Sequence, residues 1–310
     1  TFAANQLSVF SKEAFETMPA EDALKVGTGL YMFDEFVSGD HVTLVKNPEC
    51  TLYEPTNVDK LVFKMIPEAA TRMIALENGE VDLIMSPAAT DYARLQEAED
   101  LEFITETGRT QHFVGFNMQN PDSIVTDPTF RLAMAHAIDK DEMIQVAWDG
   151  YAIKSTSMMC RDVEFYTDLE GIAYDPEKAK ALFEECGAVG QTISLVTSDA
   201  DHRVKMAENL QAQMKEYGID LTVEYMQNAA LTELNCGDHT TSGVEIFIAS
   251  WTPGKNGDYM FRNTLHSAGG RNYPGLVDAE IDAKIDAAAA EMDKAVRQEM
   301  YTELQEIITY

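Results

Sequence analysis

The segment from Trp251 to Asp258 combines residue types that could contact a ligand. Apolar residues within 243–251 predict a buried strand that ends at Trp251, and residues 252–257 form a loop rich in proline and glycine. In α/β sheets, ligands bind beyond the carboxyl ends of the strands, where loops carry functional side chains. A tryptophan there offers a rigid apolar face and one N–H donor. We therefore predict a ligand-contacting loop, with a tryptophan that caps the core as the alternative.

Other reactive residue types are scattered. The six histidines form no H-x-x-x-H or H-E-x-x-H motif, and no cysteine belongs to a C-x-x-C pair. A structural zinc site needs four ligands, usually in closely spaced pairs. We therefore expect no metal and no cofactor. We expect the cysteines to be free, partly buried thiols, and a single disulfide is the alternative. The cysteines are Cys50, Cys160, Cys186 and Cys236.

Catalytic motifs are also missing from the sequence. It contains no G-x-S-x-G elbow and no phosphate-binding G-x-x-x-x-G-K-[ST] loop. With 53 acidic residues, the choice of any carboxylate pair as general acid and base would be arbitrary. We expect the protein not to be an enzyme, and an α/β hydrolase-type enzyme is the alternative class.

Hydrophobic periodicity predicts the elements that position the Trp251 loop. Strands are predicted at 112–117, 193–196, 219–225 and 243–251, and helices at 130–138, from Asp139, from Asp175-Pro176 and at 205–217. Residues 151–171 lack a period and predict a long loop. Apolar residues from Ile281 to Ile307 predict one long helix, or two with a break at Asp293. This alternation of strands and helices predicts an α/β fold.

The first hundred residues show a related pattern. A hairpin is predicted around Ser38-Gly39-Asp40, followed by a strand at 61–66, a helix at 69–76 and a second strand at 81–85. Strand, helix and strand in about 25 residues predict a right-handed βαβ unit with parallel strands.

Composition limits the function classes. The chain has 310 residues, 45% of them hydrophobic, and a formal charge of −30. This length suggests two domains, and the hydrophobic share is that of a globular protein. The negative charge repels phosphate backbones, so we expect no nucleic-acid partner. No apolar run approaches the ~20 residues that a membrane helix needs.

Several short motifs then carry a family resemblance. Residues 26–31, VGTGLY, match V-G-T-G-P-Y except at Leu30, and residues 70–82 match A-T-R…L-x-x-G-E-x-D. Residues 116–140 resemble F-N…V-R-x-A…A-I-D-R, with Phe130 in place of Val and Lys140 in place of Arg, and residues 174–180, YDPEKAK, match Y-D-P-E-K-A-K. In this order, over nearly the whole chain, the motifs resemble those of the peptide-type (dipeptide, oligopeptide and nickel) solute-binding proteins of bacterial ABC importers.

The resemblance implies a fold. It implies a two-lobed α/β fold like that of periplasmic binding proteins, type II-like, with the N-terminal part of lobe one missing from this chain. Residues 1–110 would be the rest of lobe one, residues 111–310 would be lobe two, and the hinge would lie near 108–116. Family members are longer, so the chain resembles a fragment.

The resemblance also implies a function. Such a protein captures a peptide or related small solute between its lobes and delivers it to the membrane permease of an ABC importer. It implies a periplasmic or extracellular monomer, anchored as a lipoprotein in a Gram-positive source. A peptide-binding sensor or chaperone without transport remains an alternative. The ligand classes left open are dipeptides, oligopeptides, glutathione and nickel chelates.

Candidate binding residues follow from the Trp251 loop and the resemblance. Trp251 is expected as an aromatic wall, and Arg203 as a carboxylate anchor or, equally, a solvated cation at a helix start. Further contacts are expected from Asp258, Arg271, Asn272 and Tyr273.

One position departs from the family pattern. In dipeptide and oligopeptide binders an aspartate shortly after the tryptophan pairs with the peptide's amino group, but Gly254 and Lys255 occupy this stretch here. Either Asp258 reaches back to that place, or the ligand lacks a free amino group there. Lys255 would instead favour an anionic ligand.

Overall fold

A computed structural model describes residues 11–50, 58–237 and 243–310. The chain divides into two units, Thr1–Phe103 and Ile104–Tyr310. Residues 101–110 contain no helix or strand, so the division falls in an irregular segment.

The first unit is built on a three-stranded antiparallel sheet of order β1-β2-β3. Its strands are β1 (Tyr31–Val37), β2 (His41–Lys46) and β3 (Lys60–Lys64). The predicted hairpin is confirmed: β1 pairs with β2, and Gly39 in the turn has a φ of 76°. The helices are α1 (Lys12–Thr17), α2 (Ala20–Ala23), α3 (Ala69–Glu77) and α4 (Tyr92–Glu97).

The predicted parallel βαβ unit in this region is wrong. β3 pairs antiparallel with β2, and no strand forms at 81–85. After α3 the backbone N–H groups of Glu80 and Val81 bond to the Ala75 carbonyl, so the chain stays at the helix end. Leu83 and Met85 are 71% and 75% exposed. An apolar run forms a strand only where a neighbouring strand receives its hydrogen bonds, and no strand among the described residues pairs with this segment.

The second unit contains a four-stranded sheet of order β4-β7-β5-β6. Its strands are β4 (Gln111–Phe116), β5 (Thr192–Ser198), β6 (Asp220–Met226) and β7 (Ile246–Trp251). β5 runs parallel to β6 and β7, whereas β4 pairs antiparallel with β7. The strand–helix–strand prediction for this half is thereby confirmed. The carboxyl ends of three strands and the amino end of β4 share one edge of the sheet, the carboxyl edge.

Helices cover this sheet and extend the unit. They are α5 (Pro128–Ala137), α6 (Lys140–Trp148), α7 (Pro176–Glu185), α8 (Asp201–Glu216), α9 (Asn228–Asn235), α10 (Gly257–Thr264), α11 (Ala279–Ala290) and α12 (Lys294–Thr309). The predicted caps at Asp139 and Asp175 are confirmed, since their carboxylates accept backbone N–H bonds at the starts of α6 and α7. The alternative of two helices with a break at Asp293 is also confirmed, and the Asp293 carboxylate caps α12. α8 begins at Asp201, four residues earlier than expected, and α9 and α10 were not predicted.

Two main apolar clusters hold the second unit together. One packs α5–α8 against the sheet and includes Phe130 and Phe183, both 0% exposed. The other packs the 158–166 loop, α10, α11 and α12 around Phe261 and Tyr301. Trp251 contacts this second cluster, so the end of β7 is supported by the C-terminal helices.

The expected hinge segment, 108–116, includes β4. Residues 111–116 are paired with β7 in continuous register, so only 108–110 lie outside the sheet. A hinge needs backbone that is free to rotate, which favours its N-terminal part. The lobe boundary at 110 stays a prediction.

Candidate functional site

The carboxyl edge of the second sheet carries most of the candidate residues. β5 ends at Ser198 and β7 at Trp251, and α8, α9 and α10 begin just beyond their respective strands. Parallel strands place these starts side by side, which is the position where α/β folds bind ligands.

Arg203 lies buried under this edge rather than in solvent. It is 7% exposed, and its Nη1 donates to Ser198 Oγ at 3.1 Å and to Asn228 Oδ1 at 3.0 Å. Its Nη2 donates to Ser250 Oγ at 2.6 Å. The side chain thereby ties the ends of β5 and β7 to the start of α9. The interpretation as a solvated cation at a helix start is wrong, because the helix begins two residues earlier and turns Arg203 inwards.

No carboxylate among the described residues pairs with the positive charge of Arg203. Its three hydrogen-bond acceptors are neutral, and no described residue forms an ion pair with it. Its Nε is buried without an acceptor among the described residues. Burial lowers the pKa of Arg203, while the neighbouring Tyr273 phenol opposes this shift. A buried cation without a counter-charge makes the local potential positive.

Two histidines and a tryptophan pack beside Arg203. The ring centroid of His112 lies 4.8 Å from that of His202 and 4.9 Å from that of Trp148. Burial, followed by the charges of His202 and Arg203, lowers the pKa of His112 to about 4. Burial and Arg203 also lower the pKa of His202. Both imidazoles are therefore neutral at pH 7, and the cluster presents aromatic surface beside one fixed positive charge.

Trp251, Arg271 and Tyr273 come together as expected. The guanidinium carbon of Arg271 lies 5.4 Å from the centre of the Trp251 ring, and its Nη1 donates to Tyr273 Oη at 2.9 Å. Tyr259 stacks on Trp251 with ring centroids 6.4 Å apart. Trp251 is half-buried, and its Nε1 is buried with no acceptor among the described residues. The tryptophan therefore both contacts the core and forms part of the edge.

Asp258 does not reach back towards the Trp251 loop. It lies in the first turn of α10, where its Oδ1 accepts a hydrogen bond of 2.7 Å from the buried Tyr301 hydroxyl. Arg262 Nε lies 4.0 Å from the same oxygen. Helix formation at Gly257 decides this direction, because it turns the carboxylate towards α12. The alternative in which Asp258 replaces the expected anchor is thus disfavoured by geometry.

Asn272 also has a local role. Its side chain donates to the Leu276 carbonyl at 2.7 Å and accepts from the Leu276 N–H at 3.0 Å. These bonds close the turn that carries Arg271 and Tyr273. Asn272 therefore holds the shape of this turn, with both its amide groups engaged.

Sequence reasoning missed several residues of this edge. Ser250 lies in the predicted strand at 243–251, and Ser198 lies two residues after the one at 193–196, so their positions contained a usable signal. His112 and Trp148 had none, because their place depends on the antiparallel pairing of β4 with β7 and on the packing of α6. The missed residues are Trp148, Ser198, His112, His202, Asn228 and Ser250.

The described residues outside this edge form no cluster of metal ligands. Leaving aside the undescribed segments, which include His239, no three His, Cys, Asp or Glu side chains are grouped to hold a metal ion. The cysteines are free thiols, and Cys236 is exposed whereas the other three are half-buried. Within the part of the chain that the structure covers, no helix has the length and apolar character needed to cross a membrane.

Comparisons with known proteins agree with this architecture. Over 320 residues the chain is 26% identical to the dipeptide-binding protein of Escherichia coli K12, covering 97% of this chain and 58% of that protein. It is 24% identical to heme-binding protein A of Haemophilus influenzae, covering 97% of this chain and 57% of that protein. The chain thus spans less than two thirds of the length of these relatives, whose names refer to different ligands.

A solved structure shows the same fold. The ABC transporter-associated periplasmic binding protein DppA from Helicobacter pylori, in complex with the peptide STSA, superposes with a TM-score of 0.81 at 25% identity. The match covers 98% of this chain and 60% of that one. The profile of the family described as bacterial extracellular solute-binding proteins, family 5 Middle, matches residues 3–273. The chain therefore belongs to the family 5 bacterial extracellular solute-binding proteins.

Proposed function

We propose that the chain supplies the ligand-contacting carboxyl edge of a solute-binding protein. The protein captures a peptide or peptide-like solute between two lobes and delivers it to the permease of an ABC importer. The observation that carries this proposal is the placement of Arg271 over Trp251, with the buried Arg203 bonded to Ser250, the residue before Trp251. An aromatic surface with a few directed polar groups is the usual composition of a small-molecule site. Membership of the family supports the same function.

The residues have distinct roles in this proposal. Trp251 forms a wall, and Arg271, which is exposed, contacts a polar group of the solute directly. Arg203 and Tyr273 set the charge and shape beneath them. Asp258 and Asn272 position the loops on either side through their bonds to Tyr301 and Leu276. No step of bond making or breaking is assigned to any residue.

The organisation of the whole protein is also part of the proposal. Residues 1–110 belong to lobe one and 111–310 to lobe two, with rotation absorbed near 108–116. The solute shifts the population towards a closed form because it contacts both lobes. The protein acts outside the cytoplasm as a monomer, as a lipoprotein if the source is Gram-positive, and delivers its solute to the permease.

Calorimetry tests this function directly. The protein that carries this chain is titrated with dipeptides, longer peptides, glutathione and nickel chelates. We expect micromolar binding to at least one class, which corresponds to about −8 kcal/mol. Heat from none of these classes would contradict the proposed ligand range.

Two single substitutions to glutamine, one of an arginine and one of a lysine, locate the site. Arg271→Gln removes the exposed cation over Trp251 and should weaken binding at least fivefold. Lys215→Gln is the matched control, because Lys215 is exposed and pairs with Asp220 at the first residue of β6, on the opposite edge of the sheet. It should leave affinity unchanged. Equal effects of the two variants would place the solute elsewhere.

A further inference from the structure

Phe165 adopts a backbone conformation that is strained for a side chain of its size. Its φ is 68°, in the left-handed region, where bulky residues are rarely found. The side chain is 5% exposed, and its ring stacks on that of Tyr301 with centroids 4.9 Å apart. Strain of this kind persists only where the surrounding structure holds it, and it is concentrated at functional sites. The contacts of Phe165 identify both what holds its backbone and what the strain maintains.

Two glutamine side chains of α12 hold this conformation. Gln305 Nε2 donates to the Phe165 carbonyl at 2.9 Å, and Gln298 Nε2 donates to the same oxygen at 3.1 Å. Gln305 is 0% exposed, and its Oε1 accepts a bond of 3.1 Å from the Thr167 N–H. Buried polar groups that lose their partners are costly, so these bonds fix the backbone at 165–167.

The residue before Phe165 supports the loop that follows Trp251. The backbone N–H of Glu164 donates to the Lys255 carbonyl at 2.9 Å. The Glu164 carbonyl oxygen packs so closely on Gly257 that an added Cβ would clash with it. This carbonyl belongs to the peptide unit that joins Glu164 to Phe165. The left-handed φ of Phe165 therefore lets one peptide unit face the loop while the next one faces α12.

The same face of α12 also contacts the loop directly. Gln298, Tyr301 and Gln305 are spaced three and four residues apart, so they lie on one side of the helix. The Tyr301 hydroxyl bonds to Asp258, at the end of the loop, whereas the two glutamines act through Phe165. One helix face thus holds the loop at two separate places, which restricts its movement more than a single bond would.

Resting on the proposed function, we infer that Gln298 and Gln305 are positioning residues of the ligand site. They hold Phe165 in the left-handed conformation, and Phe165 directs the Glu164 carbonyl towards Gly257. The loop after Trp251 thereby keeps one position before the solute arrives, and less ordering is needed on binding. The glutamines act through this loop and not through contact with the solute.

Gln298→Met tests the inference on the protein that carries this chain. Methionine has a similar length but no amide, and position 298 is half-buried, so the variant should fold even if Gln305→Met does not. Gln213→Met is the matched control, because Gln213 is 8% exposed and its Oε1 accepts a bond of 3.0 Å from the Asp139 N–H. It lies about 18 Å along α8 from the first residue of that helix at the carboxyl edge.

Calorimetry with a pool of random tripeptides separates positioning from general stability. We expect Gln298→Met to weaken binding at least about fivefold, and Gln213→Met to change it less than about twofold, although both lower the melting temperature. Unchanged affinity in a folded Gln298→Met variant would overturn the inference. Equal losses of affinity in the two variants would also overturn it, because destabilisation alone would then explain them.

Hydrogen exchange resolved to single amides tests the positioning without a ligand. The Glu164 amide is bonded to the Lys255 carbonyl, so it reports contact with the loop. Its exchange should become at least about tenfold faster in Gln298→Met and stay unchanged in Gln213→Met. Unchanged exchange in Gln298→Met would overturn the inference and leave peptide capture intact. An unchanged protein that binds no tripeptide would instead contradict the proposed capture of peptides, and the exchange rates would still decide the inference.

Discussion

Replacing Tyr301 by phenylalanine probes how the loop after Trp251 is held in place. The Tyr301 side chain is 0% exposed, and its hydroxyl donates to Asp258 Oδ1 at 2.7 Å, joining α12 to the first turn of α10. The substitution keeps the ring, which stacks on Phe165 with centroids 4.9 Å apart. The variant therefore removes one hydrogen bond and leaves the packing.

The magnitude follows from the charge and burial of the two partners. Hydrogen bonds to charged groups contribute about 1.5–3 kcal/mol. The Asp258 side chain is 20% exposed and keeps some contact with water, so we expect a loss of about 2 kcal/mol. For a unit of about 200 residues this corresponds to a decrease in melting temperature of about 6 °C.

Urea unfolding of the protein that carries this chain measures this loss. Tyr166→Phe is the matched control, because its hydroxyl donates to Asp168 Oδ1 at 2.9 Å in an exposed position. The control should lose no more than about 0.5 kcal/mol. Equal losses in the two variants would refute the reasoning that burial gives the Tyr301 bond its strength.

Alkaline pH gives the same variant a second signature. Burial, and then Asp258, raise the pKa of Tyr301, whereas tyrosine in the unfolded chain ionises near 10. Above about pH 10 the unfolded state loses its proton first, so the free energy of unfolding falls as pH rises. Tyr301→Phe should reduce this fall. If the free energy of unfolding of the variant falls equally steeply above pH 10, Tyr301 is not the group responsible.

Three further changes test the acid response, the loop and the core. Burial lowers the pKa of His112, so the unfolded histidine takes up its proton first as pH falls from about 6.5 to 4. His112→Gln should therefore reduce the loss of stability over this pH range. Urea unfolding that gives the variant the same pH dependence as the unchanged protein would refute this. Gly257→Ala should cost about 1–3 kcal/mol, since its Cβ would lie 2.2 Å from the Glu164 carbonyl oxygen. Gly254→Ala, which has open space, should be neutral, and equal melting temperatures of the two would count against the contact. Phe183→Ala should cost about 3–5 kcal/mol in the same unfolding assay, because the ring is fully buried, and a loss below 1 kcal/mol would contradict its place in the core.

Local signals explain why most of the second unit was predictable. Asp139, Asp175 and Asp293 start their helices through bonds to backbone N–H groups two or three residues away. Such signals lie within one turn of sequence and need no distant partner. The strand–helix–strand order follows from periodicity in the same way, because buried faces repeat every two or about 3.6 residues.

The segment at 81–85 shows where this reasoning ends. Its apolar residues match a strand pattern as well as those of β3, yet only β3 has a neighbouring strand. Strand formation depends on a partner that lies elsewhere in the sequence. α9 and α10 were missed because each is only eight residues long, and tertiary packing stabilises such short helices.

In the candidate site, too, some features follow from the sequence and others depend on tertiary contacts. The sequence alone determined that a buried strand ends at Trp251 and that a loop without an acidic residue at Gly254 follows it. Only the tertiary structure decided that Asp258 bonds to Tyr301, 43 residues away, and that Arg203 bonds to Ser250, 47 residues away. The sequence gives the chemical type of each side chain. The hydrogen-bond or ion-pair partner of a charged side chain depends on packing between elements that are distant along the chain. The positive charge of Arg203, which pairs with no carboxylate among the described residues, therefore depends on the fold.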